Sequence, residues 1–216
     1  MRQTALKVIL SFLILILSLP LSAMVVLPAS LQQLANRADL VFQGICESKR
    51  EDVFYNPQSK KEIPIVVYTF RVNDVIKGNV GSFVEVKQWN FSSRREALDY
   101  GLAPIDQSRF DAGREYFLFL GPLSPKFDGF RWVVGNDQGK FNVVRDSKGV
   151  SKVVNPYGNR GLFKGVSVKS VSKSEQNVLQ APPGPVPYDD FTSLVKKFRA
   201  ELVWVPNPCK RKCPFC

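Results

Sequence analysis

The chain has 216 residues, of which 44% are hydrophobic and 16 are Phe, so it can bury a core and does not have the composition of a disordered protein. It carries a formal net charge of +11 and no His. Without His, Ser-His-Asp and Cys-His catalysis and every His-containing zinc site are excluded.

At the amino terminus, Arg2 and Lys7 precede an apolar run from Val8 to Leu19, followed by Pro20 and Leu21-Ser22-Ala23. This pattern predicts a secretory signal peptide over 1–23, cleaved after Ala23. The run is broken by Pro20 short of the roughly 20 apolar residues that a membrane span needs, so a retained anchor is the weaker alternative. The expected mature protein is therefore exported, to the periplasm or beyond, and is not integral to a membrane. The charge is uneven: residues 24–150 hold 17 basic and 15 acidic side chains, and residues 151–216 hold 11 and 4. A basic carboxy-terminal region suggests contact with an anionic surface, set against the plainer role of keeping the protein soluble.

Ser30, with Gln33 three residues on, has the spacing of a capping box and predicts a short helix over Leu31–Ala38. Leu40–Cys46 and Ile65–Val75 predict two strands, joined by a charged stretch from Glu51 to Glu62 that reads as a surface loop. Leu40, Phe42, Gly44 and Cys46 share one face of the first strand. Phe83–Trp89 alternates as a third, half-buried strand. Periodicity is then lost from Asn90 to Phe110, apart from a helical turn at Ser92–Leu98. Glu115–Leu120 is apolar enough to be buried on both faces. Phe130–Val134 and Lys140–Val144 complete the strand set, with Asn136–Gly139 as a hairpin-like connection. Weaker patterning over 149–177 predicts short edge strands. Residues 178–187 read as a Pro-rich linker, and 188–216 as a helix with a Cys-bearing basic tail. The helix has a stripe of Phe191, Leu194, Val195, Phe198 and Leu202 to dock on the domain formed by 24–177.

Three segments in order resemble the OB-like barrel of netrin-type and tissue-inhibitor-of-metalloproteinase-like modules, and of related exported bacterial proteins of unassigned role. They are Ala38–Gly44, Tyr68–Val72 running on to Val75–Gly78, and Ala112–Leu118. The resemblance implies a mainly β protein, with a five- to six-stranded barrel, a short amino-terminal helix and a carboxy-terminal helix. It departs from the inhibitors in two respects. The expected first residue is Met24 rather than the Cys whose amine and carbonyl reach a catalytic zinc, and the barrel's Cys pairs are missing. Protease inhibition is thus an analogy of fold alone.

The chemically distinctive residues are the four Cys. In an exported chain Cys46, Cys209, Cys213 and Cys216 are disulfide candidates with three possible connectivities. Cys213-Pro214-Phe215-Cys216 also has the C-x-x-C spacing of thiol oxidoreductases, with an interior similar to that of glutaredoxins. Lys210, Arg211 and Lys212 beside it would favour thiolates. Asp39, Glu47, Asp74, Glu85, Asp99, Asp106 and Asp111 show no spacing that marks an acid–base pair. The aromatic and basic residues Trp89, Phe91, Arg94 and Arg95, with Phe130, Arg131 and Trp132, suggest a stacking surface for nucleic acid, but core packing and export argue against that partner. The sequence therefore predicts a non-enzymatic, exported binding or envelope-associated module with no cofactor and no metal, whose partner is a protein or an envelope glycan. A thiol–disulfide protein is the alternative.

Overall fold

The computed structural model describes residues 27–102 and 108–202, with side chains as far as residue 198. Helix α1 (Leu31–Arg37) starts as expected, with Ser30 Oγ accepting the Gln33 N–H at 3.3 Å and Gln33 Oε1 accepting the Ser30 N–H at 3.0 Å. Its Leu31, Leu34 and Ala35 are buried.

Strands β1 (Leu40–Asn56) and β2 (Lys61–Lys77), of 17 residues each, form an antiparallel hairpin, which corrects the loop expected between Glu51 and Glu62. Only Pro57–Lys60 turn, with Asn56 Oδ1 accepting the Gln58 N–H at 3.0 Å. The stretch keeps strand alternation: Phe54 packs inward while Val53 and Tyr55 face solvent. Its charges mark a solvated ribbon edge, where strands and loops have similar composition. Lys49, Lys60 and Lys61 are exposed as expected, on the ribbon and its tip rather than on a loop.

The remaining strands are β3 (Phe83–Trp89), β4 (Glu115–Leu120), β5 (Lys140–Arg145), β6 (Ser151–Val154) and β7 (Val186–Pro187). The protein is mainly β, and the seven strands among its described residues lie in the order β3-β2-β1-β4-β5-β6-β7, every neighbour antiparallel. The ladder is not closed, since β3 and β7 are its ends.

The expected strand at Phe130–Val134 is absent. Only single bridges form there, Lys87 to Phe130 and Leu120 to Val133. Its apolar residues serve three different places: Phe130 meets Phe54 and Trp89, Val133 joins the cluster around Phe42 and Phe70, and Val134 joins the helix-covered core. Apolarity without a period of two does not make a ladder strand. Asn136–Gly139 accordingly forms a 3₁₀ turn rather than a hairpin, and β5 pairs with β4.

Both faces of the sheet are buried. On one face, Val41, Phe117, Phe119, Phe141 and Val153 pack under α1, under α3 (Lys173–Gln180) and under α4 (Tyr188–Leu202), whose Phe191, Leu194, Val195 and Phe198 dock as the stripe predicts. On the other, Phe42, Tyr68, Phe70, Phe110, Tyr116 and Leu118 form a second cluster. Rings from β2 and β4, which flank β1 in the ladder, meet across it, with the Phe70 and Tyr116 centroids 6.1 Å apart. The segment holding Phe130 and Val133 bridges to both β3, at Lys87, and β4, at Leu120, so the sheet from β3 to β4 curls over this cluster. Alternation along β4 divides its continuous apolar run between the two cores.

Curling needs a break in β1, and Gly44 lies at one of three register shifts there. A Cβ on Gly44 would lie 2.5 Å from the Arg71 carbonyl oxygen across the ladder. Because the opposing atom is backbone, Gly44→Ala is expected to cost about 1–3 kcal/mol in chemical denaturation, the scale of overpacking a tight site. A neutral result would show that the two strands can separate there without loss.

Candidate functional site

Of the four Cys, the structure describes one. Cys46 lies in the second core cluster with no exposed surface, its Sγ 3.7 Å from the Ser48 carbonyl oxygen that accepts from it. Burial, and secondarily the Asp111 carboxylate, push its thiol up to about 11 from an ordinary 9.0. At a given pH that shift leaves about a hundredfold less thiolate. Cys46 is thus a packed, protonated thiol with little nucleophilic character. Cys209, Cys213 and Cys216, and the pairings expected of them, lie outside the described residues.

Peptide mapping after alkylation provides a direct check. The Cys46 peptide should resist labelling in the native protein and label promptly in urea. Labelling in urea only after reduction would establish a bridge to the tail. Prompt labelling of the native protein would contradict the burial.

Five of the carboxylates singled out in the sequence are partners of cations, whereas the Asp99 side chain forms no ion pair among the described residues. Asp39 meets Arg131 at 3.0 Å, Glu47 meets Arg71 at 2.7 Å, Glu85 meets Arg50 at 2.7 Å, Asp111 meets Arg114 at 3.3 Å and Asp74 meets Lys196 at 3.5 Å. Asp106 lies outside the described residues. Among the described residues no three Asp, Glu or Cys side chains gather in a group able to hold a metal ion.

The aromatic residues form a column rather than an open platform. Phe130 lies 4.3 Å from Trp89, Trp89 stacks at 6.2 Å on Phe91, and Phe91 stacks at 5.6 Å on Tyr100. Lys61 Nζ sits 5.8 Å from the Tyr100 ring centroid. Each inner ring has its faces occupied by neighbours, so the column leaves no free face on which a base could stack. It fastens the segment around α2 (Arg94–Asp99) to the ribbon near its tip, at Phe54 and Lys61. Trp132 is exposed, and Arg131 is held by the Asp39 carboxylate and the Gly121 carbonyl.

A different segment carries unbalanced charge. Residues 147–174 contain no Asp or Glu and six cations: Lys148, Lys152, Arg160, Lys164, Lys169 and Lys173. Lys152 pairs with Asp146 at 3.2 Å, whereas Lys148, Arg160, Lys164 and Lys173 form no ion pair among the described residues. The segment is rigidly mounted. The Asn155 and Asn159 side chains are buried, with Asn155 Oδ1 accepting the Asn159 N–H and Asn159 Oδ1 accepting the Asn155 N–H, both at 2.9 Å. Asn159 Nδ2 also donates to the Val153 and Gly184 carbonyls. The even scatter of Lys in the sequence conceals this surface, and the signal that finds it is the gap in acidic residues between Asp146 and Glu175. No described helix is long and apolar enough to cross a membrane. No protein-family profile matches the chain, and neither does any curated protein.

Proposed function

We propose that this is an exported, non-enzymatic binding module, built on an OB-like sheet, that associates with acidic components of the cell envelope. The observation that carries the reading is the acid-free segment 147–174, four of whose cations have no intramolecular counter-charge among the described residues. Such a surface attracts anionic partners by long-range electrostatics that salt screens. The amino-terminal apolar run supports export.

The test is retention of the exported protein on its own envelope extract across a salt series. Retention at low ionic strength that falls steeply toward 0.5 M salt, roughly three times physiological ionic strength, is the expected result. Retention indifferent to salt, or none, would refute the reading. The C-x-x-C pattern of Cys213 and Cys216 favours one alternative, thiol–disulfide exchange. Reduction of insulin by the wild type but not by Cys213→Ser would establish it. An inhibitor-like role rests on the likeness of fold alone.

A further inference from the structure

The end of the molecule at which the described chain begins combines exposed apolar side chains with cations that form no ion pair among the described residues. Leu27 is 81% exposed, yet its backbone is clamped: the buried Gln138 carboxamide donates to the Leu27 carbonyl at 3.2 Å and accepts the Ala29 N–H at 2.6 Å. The turns over 155–165 pack against this clamp. Asn155 Nδ2 donates to the Gln138 carbonyl at 3.3 Å, the Leu31 N–H donates to the Leu162 carbonyl at 2.7 Å, and a Cβ on Gly161 would lie 3.0 Å from Pro28 Cβ. From these turns Tyr157 stands 45% exposed, and Arg160 and Lys164 are exposed cations. Neither 27–38 nor 147–174 contains an acidic residue. The one carboxylate on the adjoining 3₁₀ turn, Asp137, pairs with Lys140 at 3.3 Å.

We propose that this end is a docking surface for an anionic bilayer, with Leu27 and Tyr157 entering the interface and Arg160 and Lys164 meeting lipid phosphates. The inference rests on the envelope-associated reading above and names the partner of that surface. Two observations select a lipid over an acidic polysaccharide or protein. A solvent-facing Leu on a clamped backbone, with an exposed Tyr on the turns packed against that clamp, matches an apolar layer under a polar one, the arrangement interfacial side chains occupy, and a polysaccharide offers no hydrocarbon to receive Leu27. In addition, seven residues, or eight Cα–Cα steps, separate Leu19, the last of the apolar run, from Leu27. Even fully extended that length spans about 28 Å, so this end stays beside the bilayer for as long as the run is attached.

The test is sedimentation of the exported form, its amino terminus fixed by intact mass, with vesicles of phosphatidylglycerol and phosphatidylcholine or of phosphatidylcholine alone. Binding to the anionic vesicles only is expected. The pair Arg160→Gln and Lys164→Gln should weaken it about thirtyfold, two residues each on the scale of the attraction a basic side chain has to an anionic leaflet. Leu27→Ser with Tyr157→Ser should also weaken it, while the ribbon pair Lys49→Gln and Lys60→Gln should leave it unchanged. All six positions are outside the buried core, and circular dichroism checks that each variant folds. Equal losses from the ribbon pair would show a bulk charge effect and overturn the assignment. So would binding indifferent to all three pairs, the result expected of an inserted apolar run. Salt-sensitive retention on envelope extract without binding to vesicles would overturn the lipid assignment and leave the module's function standing. Failure of both would remove both.

Discussion

Phe70→Ala should lower the stability of the protein by about 3–5 kcal/mol, the cost of deleting an enclosed ring. Phe70 has no exposed surface and meets three other rings edge-on, at 5.8 Å from Phe42, 5.0 Å from Phe110 and 6.1 Å from Tyr116. Those rings come from β1, from β4 and from the segment that leads into β4. Removing Phe70 therefore opens the cluster over which the sheet curls, and the surrounding strands can collapse only partly into the space. Urea denaturation of the variant should show a lower midpoint at an unchanged slope. Val53→Ala, on the exposed face of the ribbon at 59% exposure, should stay within about 0.5 kcal/mol and serves as the control. A loss below about 1 kcal/mol for Phe70→Ala would mean that the ring does not hold the two sides of the sheet together.

Phe70 belongs to the part of the fold that is legible in sequence. Phe42, Tyr68, Phe70 and Phe117 are buried because alternating large side chains on a strand have one economical arrangement. The α4 stripe and the Ser30 capping box are legible for the same reason, since each is a local pattern with one geometric solution. What could not be read depends on partners distant in sequence. Glu51–Tyr55 is strand because it pairs with Glu62–Val66, although its charges suit a loop equally well. Phe130–Val134 is apolar because three different cores need its side chains. Helix α3 carries a readable signal in Ser172 and Glu175, a capping box with the spacing seen at Ser30, inside a stretch whose Val residues suggest strands. The basic surface is legible in composition alone. Its placement beside Leu27 requires the Gln138 clamp, which joins residues more than 100 positions apart.

Glu175 is the other residue whose removal should be costly, because it joins two helices through a buried charge. Its side chain is 3% exposed and accepts from the Ser172 N–H at 2.6 Å, closing the cap of α3, from Ser193 Oγ at 2.7 Å and from Lys197 Nζ at 2.5 Å, both on α4. Burial alone would raise the pKa of the carboxyl. The hydrogen bonds from Lys197, Ser193 and Ser172 outweigh it and hold the group at about 2, below an ordinary 4.5. A carboxylate with a depressed folded-state pKa contributes stability that is fully present above its unfolded-state value and fades as the pH falls toward the folded one. The shift is equivalent to about 3 kcal/mol, lost progressively between about pH 5 and pH 2. Glu175→Gln keeps the shape and an acceptor for the Ser172 N–H but loses the charge, so its deficit against wild type should be constant above pH 5 and shrink as the solution is acidified. Glu175→Ala also removes the acceptor of the Ser172 N–H and leaves Lys197 with the Ser170 carbonyl alone, and should cost about 3–5 kcal/mol near neutral pH. Denaturation curves of the three proteins from pH 7 to pH 3 test both statements. A deficit for Glu175→Gln that does not change with pH would mean that the carboxylate is not held in its charged form by these partners, and that α3 docks on α4 through Val178 and its apolar neighbours alone.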